Sequence, residues 1–245
     1  MIGKAEKLIK FKHQIDNDFV VPIVPASKVL PDWYKNMLYR YPEEGQKIWD
    51  APTVKACLPF FDALTQGYII PLWADLYVSI ELTEDGTSQP AFTWGLNGDA
   101  IISSHSPTQT RDVPIMKKSL GGGPAFKFES PWVIETPKDY STLFVPPLNN
   151  AHPFFQVVSA IVSTDNYPNA VNFPFIWMGP EDWEGILPQG TPIVQVIPFK
   201  RDDFNHEIEA ITEADLQSKN SVVRALGNSF QGVYKELWRK TSKSR

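Results

Sequence analysis

The sequence is poor in the residues that build disulfides and metal sites. Its 245 residues include one cysteine, Cys57, and four histidines. A single cysteine excludes an internal disulfide and any zinc site with several cysteine ligands. No two histidines stand at the short spacings of the common zinc motifs. We therefore expect neither a bound metal nor a cofactor.

The sequence also lacks an excess of basic residues and long apolar runs. Lys and Arg number 23 against 28 Asp and Glu, for a net charge of −5, which gives no general attraction to nucleic acid or anionic lipid. No apolar run reaches the roughly 18–20 residues needed to span a bilayer. The N-terminal "MIGKAEKLIKFKHQ" has no apolar core of a secretory signal. We expect folding in a cytoplasm, without a nucleic-acid or membrane partner.

Proline, in contrast, is abundant. The chain has 22 prolines, whereas average usage predicts about 12. They punctuate short apolar segments such as "IIPLW", "FVPPL" and "VIPF". Because proline cannot donate to a sheet, it belongs at strand ends, edges and bulges. This pattern predicts a mainly-β fold, a barrel or a sandwich.

Periodicity locates the elements within this fold. Alternating apolar residues predict a strand over residues 76–82. The apolar runs at 160–163 and 192–199 are interpreted as the two strands of a hairpin. Residues 97–123 are the least regular part, either a long loop or two short strands with loops. Most tryptophans stand in apolar segments and are predicted to be buried, with Trp183, in the polar turn "GPEDWEG", as the exposed exception.

Two helices are predicted at the edges of the β region. A short amphipathic helix is expected around residues 31–40, and a long one begins after Thr212. The second helix has an apolar stripe with a 3-4-3-4 spacing, which either packs on the β domain, as we expect, or pairs with a symmetry mate. We predict a β domain over residues 1–211 and a C-terminal helix over 212–245. The stripe comprises Val223, Leu226, Phe230, Val233 and Leu237.

Three segments of the chain form one pattern: "PWVIETPKDYSTLFVPP" from Pro131, "AIVSTDNY" from Ala160 and "GTPIVQV" from Gly190. This pattern resembles the trimeric dUTPase family, and the likeness covers Pro131 to Phe199. The resemblance implies a β-clip fold. It also implies the loss of the family's chemistry, because Ser163 occupies the position of the water-activating aspartate. The Arg-Ser-Ser phosphate motif is replaced by "FVPPLNNAHPFF".

A second, looser resemblance covers most of residues 25–204. The segments "KVLPDWYK", "KACLPFFDALTQGYIIP" and "LPQGTPIVQVIPFKRD" are similar to an uncharacterised family of tailed-phage proteins, notably from phages of cyanobacteria. This resemblance implies a viral origin and a location in the host cytoplasm during infection or in the virion. It implies no particular activity.

These observations lead to two hypotheses of different class. The first is a non-enzymatic structural or assembly protein that contacts other copies of itself or other virion proteins. The second is a nucleotide- or sugar-binding enzyme with a rearranged pocket on a dUTPase-like fold. We favour the first, because a serine cannot take a proton from water near pH 7 without a separate base. The candidate pocket residues are His105, Asp165, Tyr167, Gln195 and Arg201.

Overall fold

A computed structural model describes residues 8–13, 21–41, 52–94 and 101–233, together with Lys235 and Arg239. For residue 223 and residues 225–233 it describes the backbone only. This part of the chain contains fourteen strands and four α-helices, with 33% of residues in strands and 22% in helices, so the predicted mainly-β class is confirmed. The strands are β1 Lys10–His13, β2 Val24–Pro25, β3 Tyr68–Pro71, β4 Leu76–Leu82, β5 Ser88–Trp94, β6 Ile102–Ser104, β7 Phe126–Phe128, β8 Trp132–Glu135, β9 Tyr140–Val145, β10 Phe155–Val157, β11 Ala160–Val162, β12 Phe173–Trp177, β13 Gly185–Leu187 and β14 Pro192–Lys200. The helices are α1 Asp32–Asn36, α2 Leu58–Thr65, α3 Pro107–Thr110 and α4 Glu213–Val233.

The strands form four sheets, and within each sheet all neighbouring strands are antiparallel. The largest sheet has the order β11-β9-β14-β3-β2, and the next has the order β10-β12-β7-β6. A three-stranded sheet, β13-β4-β5, and the pair β1-β8 complete the set. Within the described residues none of these sheets closes into a barrel.

The predicted hairpin of the runs at 160–163 and 192–199 is wrong. Strands β11 and β14 belong to the same sheet, but β9 lies between them and pairs with both. The apolar run at 154–163 also divides, because β10 joins the β12 sheet whereas β11 joins β9. Periodicity identifies strands of this kind, but the choice of neighbour depends on packing that is distant in sequence.

The two predicted helices are present, and α2 was not predicted. Helix α1 is shorter than expected; it follows Pro31, whose missing N–H costs nothing at a helix start. The start of α4 is confirmed by a capping box, in which Thr212 Oγ1 accepts from the Asp215 backbone N–H (3.2 Å) and Asp215 Oδ2 accepts from Thr212 N–H (3.1 Å). Within the described part of the chain no helix is long and apolar enough to cross a membrane.

The irregular region contains more structure than its sequence indicates. It includes β6, the single-turn helix α3 and two 3₁₀ turns at Pro114–Lys118 and Leu120–Gly122. Short turns of this kind depend on local hydrogen bonds, such as that from the Thr108 N–H to Ser106 Oγ (3.4 Å). They carry no long periodic signal, so the pattern of residues 97–123 does not predict them.

The chain forms two compact units. The first comprises Met1–Val29 and Gln66–Arg201 and contains all fourteen strands, and the second comprises Leu30–Thr65 and Asp202–Arg245. Helices α1, α2 and α4 therefore belong to the second unit. The sequence-based division at residue 211, with the last helix packed on the β domain, stays a prediction.

Aromatic side chains dominate the core of the first unit. Phe128 stacks on Phe175 with ring centroids 4.1 Å apart, and both rings are buried. Burying such rings is among the largest stabilising contributions a side chain can make. The prediction for Trp183 is wrong, because its ring packs against Phe154 (5.0 Å) and Trp177 (5.3 Å).

Candidate functional site

A turn after β11 presents the candidate residues of the sequence analysis. The backbone N–H groups of Asn166 and Tyr167 both donate to the Ser163 carbonyl oxygen, at 3.0 Å each. This closes a tight turn over residues 163–167, which we call the Asp165 turn. Ser163 itself is exposed at its start.

Three buried threonines fix the Asp165 turn to the sheet. Thr164 Oγ1 lies 2.8 Å from Thr136 Oγ1 and 2.8 Å from Thr142 Oγ1, and all three side chains are buried. The Thr136 N–H also donates to the Thr164 carbonyl oxygen (3.2 Å). Hydroxyl groups can donate and accept at once, so the cluster satisfies its own buried polar atoms. The turn therefore has a fixed position relative to β9.

Asp165 and Arg201 form a bidentate ion pair. Arg201 Nη1 lies 2.9 Å from Asp165 Oδ1, and Nη2 lies 2.5 Å from Oδ2. The Asp139 backbone N–H donates to the same Oδ2 (2.9 Å), and Arg201 Nη1 also donates to the Tyr140 carbonyl oxygen (2.9 Å). The side chain of Asp165 is 8% exposed and that of Arg201 is 40% exposed. The pair joins the Asp165 turn to the end of β14.

The ion pair keeps Asp165 ionised. Hydrogen bonds from Arg201 lower the pKa of Asp165 from its ordinary 3.8 to about 2, and the same pairing raises the pKa of Arg201. A general base works best when its pKa lies near the working pH. Asp165 is therefore a structural anion and a poor candidate for a catalytic base.

A second carboxylate lies nearby and is also neutralised. Glu135 accepts from Lys10 Nζ (2.9 Å) and from Lys12 Nζ across the β1–β8 pair. These hydrogen bonds, chiefly that from Lys12, lower the pKa of Glu135 from 4.5 to about 2. Neither carboxylate has the raised pKa of a general acid, so the two do not form an acid–base pair.

The Asp165 turn and the β1–β8 pair together form an open cleft of about 500 Å³. The His13 ring lies at its wall, with its centroid 5.2 Å from that of Trp132. Tyr167, which is 41% exposed, also lines the cleft. The lining residues are Lys12, His13, Val133, Glu135, Thr164, Asp165, Asn166, Tyr167 and Pro168.

The structure brings together only part of the predicted pocket. Asp165 and Tyr167 line the cleft, and Arg201 pairs with Asp165. Gln195 is 1% exposed and does not line it; its Oε1 accepts from the Leu148 N–H (2.7 Å), and its Nε2 donates to the Gln66 carbonyl oxygen (2.6 Å). His105 also lies elsewhere, with Nδ1 3.1 Å from Gln109 Oε1.

Sequence reasoning missed the cleft residues on the neighbouring strands. Lys10 and Lys12 alternate in "KFKH", which places them on one face of β1, and Glu135 lies in β8 more than 120 residues away. The alternation signals one charged strand face. It does not identify the partner strand, so the cleft was not predictable from local pattern.

The chain after β14 exposes large apolar side chains. Residues 202–212, which we call the acidic arm, lead from β14 to α4, and every one of them is exposed. Phe204 is 88% exposed, Ile208 is 92% and Ile211 is 60%. The predicted interface stripe lies outside what the structure describes: only the backbone is described at Val223, Leu226, Phe230 and Val233, and nothing at Leu237.

The geometry of the cleft and the arm is the basis for assigning a function. The sequence matches no protein-family model, and no curated protein is significantly similar to it. Among the described residues no three His, Cys, Asp or Glu side chains are grouped in a way that would hold a metal ion.

Proposed function

We propose that the protein is a non-enzymatic structural or assembly component of a tailed bacteriophage, acting through protein–protein contacts. It works without a cofactor, in the host cytoplasm during infection or in the virion. Its partners are copies of itself or other virion proteins, and neither nucleic acid nor membrane is among them. The viral assignment rests on the proposed resemblance of most of residues 25–204 to a tailed-phage family.

The observation that carries this proposal is the exposure of the acidic arm. Phe204 and Ile208 are almost fully exposed, although each would gain roughly 1.5–3 kcal/mol from burial. Single exposed apolar residues are ordinary on protein surfaces, whereas a run of them on one segment marks a contact site.

The state of the cleft supports a non-enzymatic role. Its two carboxylates, Asp165 and Glu135, are paired with cations, and their pKa values lie near 2. Ser163 stands where the dUTPase pattern has its water-activating aspartate. A hydrolase needs a group that can accept the proton of the attacking water. Neither Asp165 nor Glu135 suits this role, because each carboxylate is held in an ion pair that lowers its pKa.

We further propose that the β region is of the dUTPase-like β-clip type. The pairing of β11 and β14 with the same strand, β9, is consistent with this, because the two resemblance segments contain β11 and β14. An experimental structure tests the relation directly. Superposition of β9, β11 and β14 on a dUTPase should place Ser163 at the catalytic aspartate, and a different topology would exclude the β-clip type.

The proposed role is tested by locating the protein. We expect mass spectrometry of gradient-purified virions, or of assembly intermediates from infected cells, to find it at a fixed ratio to the known structural proteins. Absence from both would overturn the proposal. Turnover of dUTP with release of pyrophosphate, lost in Asp165→Ala, would also overturn it.

The cleft favours one second candidate, a nucleotide- or sugar-binding enzyme. Its volume of about 500 Å³ suits a small ligand, and its lining residues include His13 and Tyr167, besides Lys12, which pairs with Glu135. Thermal-shift screening with nucleotides and sugars tests this candidate. A concentration-dependent rise in Tm that Tyr167→Ala removes would support it, with Tyr41→Ala as the matched control for loss of an exposed tyrosine outside the cleft. No rise with either class of ligand would exclude it.

A further inference from the structure

A lysine, a glutamate and an asparagine meet on the sheet that contains β7 and β12. Lys127 lies between the buried Phe126 and Phe128, and Glu129 directly follows β7, so side-chain alternation places Lys127 and Glu129 on the face opposite the two rings. Asn172 directly precedes β12, the antiparallel neighbour of β7. Diagonal neighbours across such a strand pair lie within reach of a long side chain. The strand register therefore brings Lys127 close to Asn172.

The Glu129 carboxylate bridges the other two side chains. Lys127 Nζ lies 2.8 Å from Glu129 Oε1, and Asn172 Nδ2 donates to Glu129 Oε2 (2.5 Å). The Ser103 hydroxyl also donates to Oε1. The side chains of Lys127 and Glu129 are 24% and 28% exposed, so the contact is partly shielded from water. One carboxylate thus holds an amine and a carboxamide side by side.

The carbonyl group of the Asn172 side chain is also held in place. The backbone N–H of Ser130, a buried residue, donates to Asn172 Oδ1 (3.0 Å). A donor at this position stabilises the negative charge that develops on a carbonyl oxygen when a nucleophile attacks its carbon. A carboxylate within hydrogen-bond reach of an amine is placed to act as its general base. The cluster therefore combines a nucleophile in Lys127, a base in Glu129 and a polarised electrophile in Asn172.

We infer that Lys127 and Asn172 condense into an intramolecular isopeptide bond, with Glu129 carrying the proton. Glu129 takes a proton from the Lys127 ammonium group, and the free amine attacks Asn172 Cγ. The Nζ–Cγ bond forms and the Cγ–Nδ2 bond breaks. Nζ loses two protons in all: one reaches Nδ2 through Glu129, so that ammonia leaves, and the other converts this ammonia to ammonium in solvent. No atom is oxidised or reduced, so the reaction needs no co-reactant.

The isopeptide bond ties β7 to β12, which are neighbours in the sheet but are separated along the chain by β8, β9, β10 and β11. A covalent link between residues that are distant in sequence restricts the unfolded chain, as a disulfide does. This link needs no cysteine, and the chain has only Cys57. The inference goes beyond the proposed function and does not depend on it, because the bond lies within one chain.

Intact-mass spectrometry of the purified full chain tests the inference. We expect a mass that is lower than the mass of the sequence by one ammonia. Trypsin should fail to cut after Lys127, and residues 119–138 should be recovered joined to residues 139–200. A mass equal to that of the sequence, with separate peptides containing Lys127 and Asn172, overturns the inference.

Single substitutions distinguish this bond from a loss of ammonia elsewhere in the chain. Lys127→Arg keeps the positive charge without the amine, and Glu129→Gln removes the base, so each variant should have the full mass of its own sequence. Lys138→Arg, at an exposed lysine outside the cluster, is the matched control and should lose ammonia as the unmodified chain does. A loss of ammonia that persists in Lys127→Arg would assign the reaction to a different group and overturn the inference.

Discussion

Replacing Gln195 with leucine is expected to lower the Tm of the β region, although Gln195 does not line the cleft. The side chain is 1% exposed and joins three segments of the first unit: β14, the Leu148 N–H (2.7 Å) and the Gln66 carbonyl oxygen (2.6 Å). Leucine has a similar volume but neither donor nor acceptor. The substitution removes both hydrogen bonds, whose backbone partners are part-buried.

The expected magnitude follows from those two groups. A hydrogen bond contributes about 0.5–1.5 kcal/mol net, so the loss of two costs about 1–3 kcal/mol where the backbone partners are part-buried. We expect a loss of about 1–3 kcal/mol in the free energy of unfolding. For a chain of this size that corresponds to a fall in Tm of about 2–12 °C.

Urea denaturation followed by tryptophan fluorescence measures this loss. Gln217→Leu, an exposed glutamine in α4, is the matched control and should change stability by less than about 0.5 kcal/mol. Gln195→Glu keeps the shape but turns the donor toward Gln66 into an acceptor, so its deficit should shrink as pH falls and the carboxyl protonates. The reasoning is refuted if Gln195→Leu is no more destabilising than Gln217→Leu.

Three further predictions concern single groups. Burial lowers the pKa of His152 from 6.5 to about 4. The free energy of unfolding should therefore fall by about 1–2 kcal/mol as pH drops from 6.5 to 4, because only the unfolded chain takes up the proton. In His152→Phe the urea midpoint should no longer fall with pH across this range. The ion pair of Asp165 with Arg201 should contribute stability above about pH 4 that is lost as pH falls toward 2, and Asp165→Asn should flatten that part of the curve. Gly67→Ala should lower Tm strongly, because Gly67 has a φ of 68° and an added Cβ would lie 2.0 Å from the Val196 carbonyl oxygen.

Each of these three substitutions has a matched control elsewhere in the chain. His206, exposed on the acidic arm, gives His206→Phe as the control for the histidine substitution; an unchanged slope in His152→Phe would contradict the assignment to His152. Asp203→Asn controls the aspartate substitution, and an equal effect of both would show that Arg201 does not select Asp165. Gly86→Ala controls Gly67→Ala, since Gly86 also has positive φ but an added Cβ would meet nothing within 4 Å. Equal losses would assign the effect to φ alone.

Strands were the best-predicted part of the fold. The alternation over residues 76–82 matches β4, and the run at 192–199 matches β14 within one residue at its end. Helix α2 was missed because "LPFFDALT" is a short apolar run, and such a run does not distinguish a helix from a strand. The burial of Trp183 was predicted wrongly, because an aromatic residue in a polar turn can still pack against the core.

The candidate site was predictable only in part. Asp165, Tyr167 and Arg201 were named from the sequence, and the structure places them together. Their ion pair was not predictable, because Asp165 and Arg201 lie 36 residues apart in the chain. Their contact depends on the strand order, in which β9 lies between β11 and β14. Gln195 was named as a pocket residue but lies in the core. A polar residue in an apolar strand indicates either a ligand contact or a buried hydrogen bond, and the neighbouring sequence does not distinguish the two.

Local patterns predict the mainly-β class, the places of most strands and the start of α4, because proline positions, alternation and the Thr212–Asp215 cap act over a few neighbouring residues. Tertiary packing sets which strands pair, which carboxylates are neutralised, and whether Phe204 and Ile208 stay exposed. Those properties depend on groups far apart in the chain, and the free energy of each depends on what surrounds it after folding. A sequence shows that an apolar side chain is present; the fold decides whether its own chain can bury it.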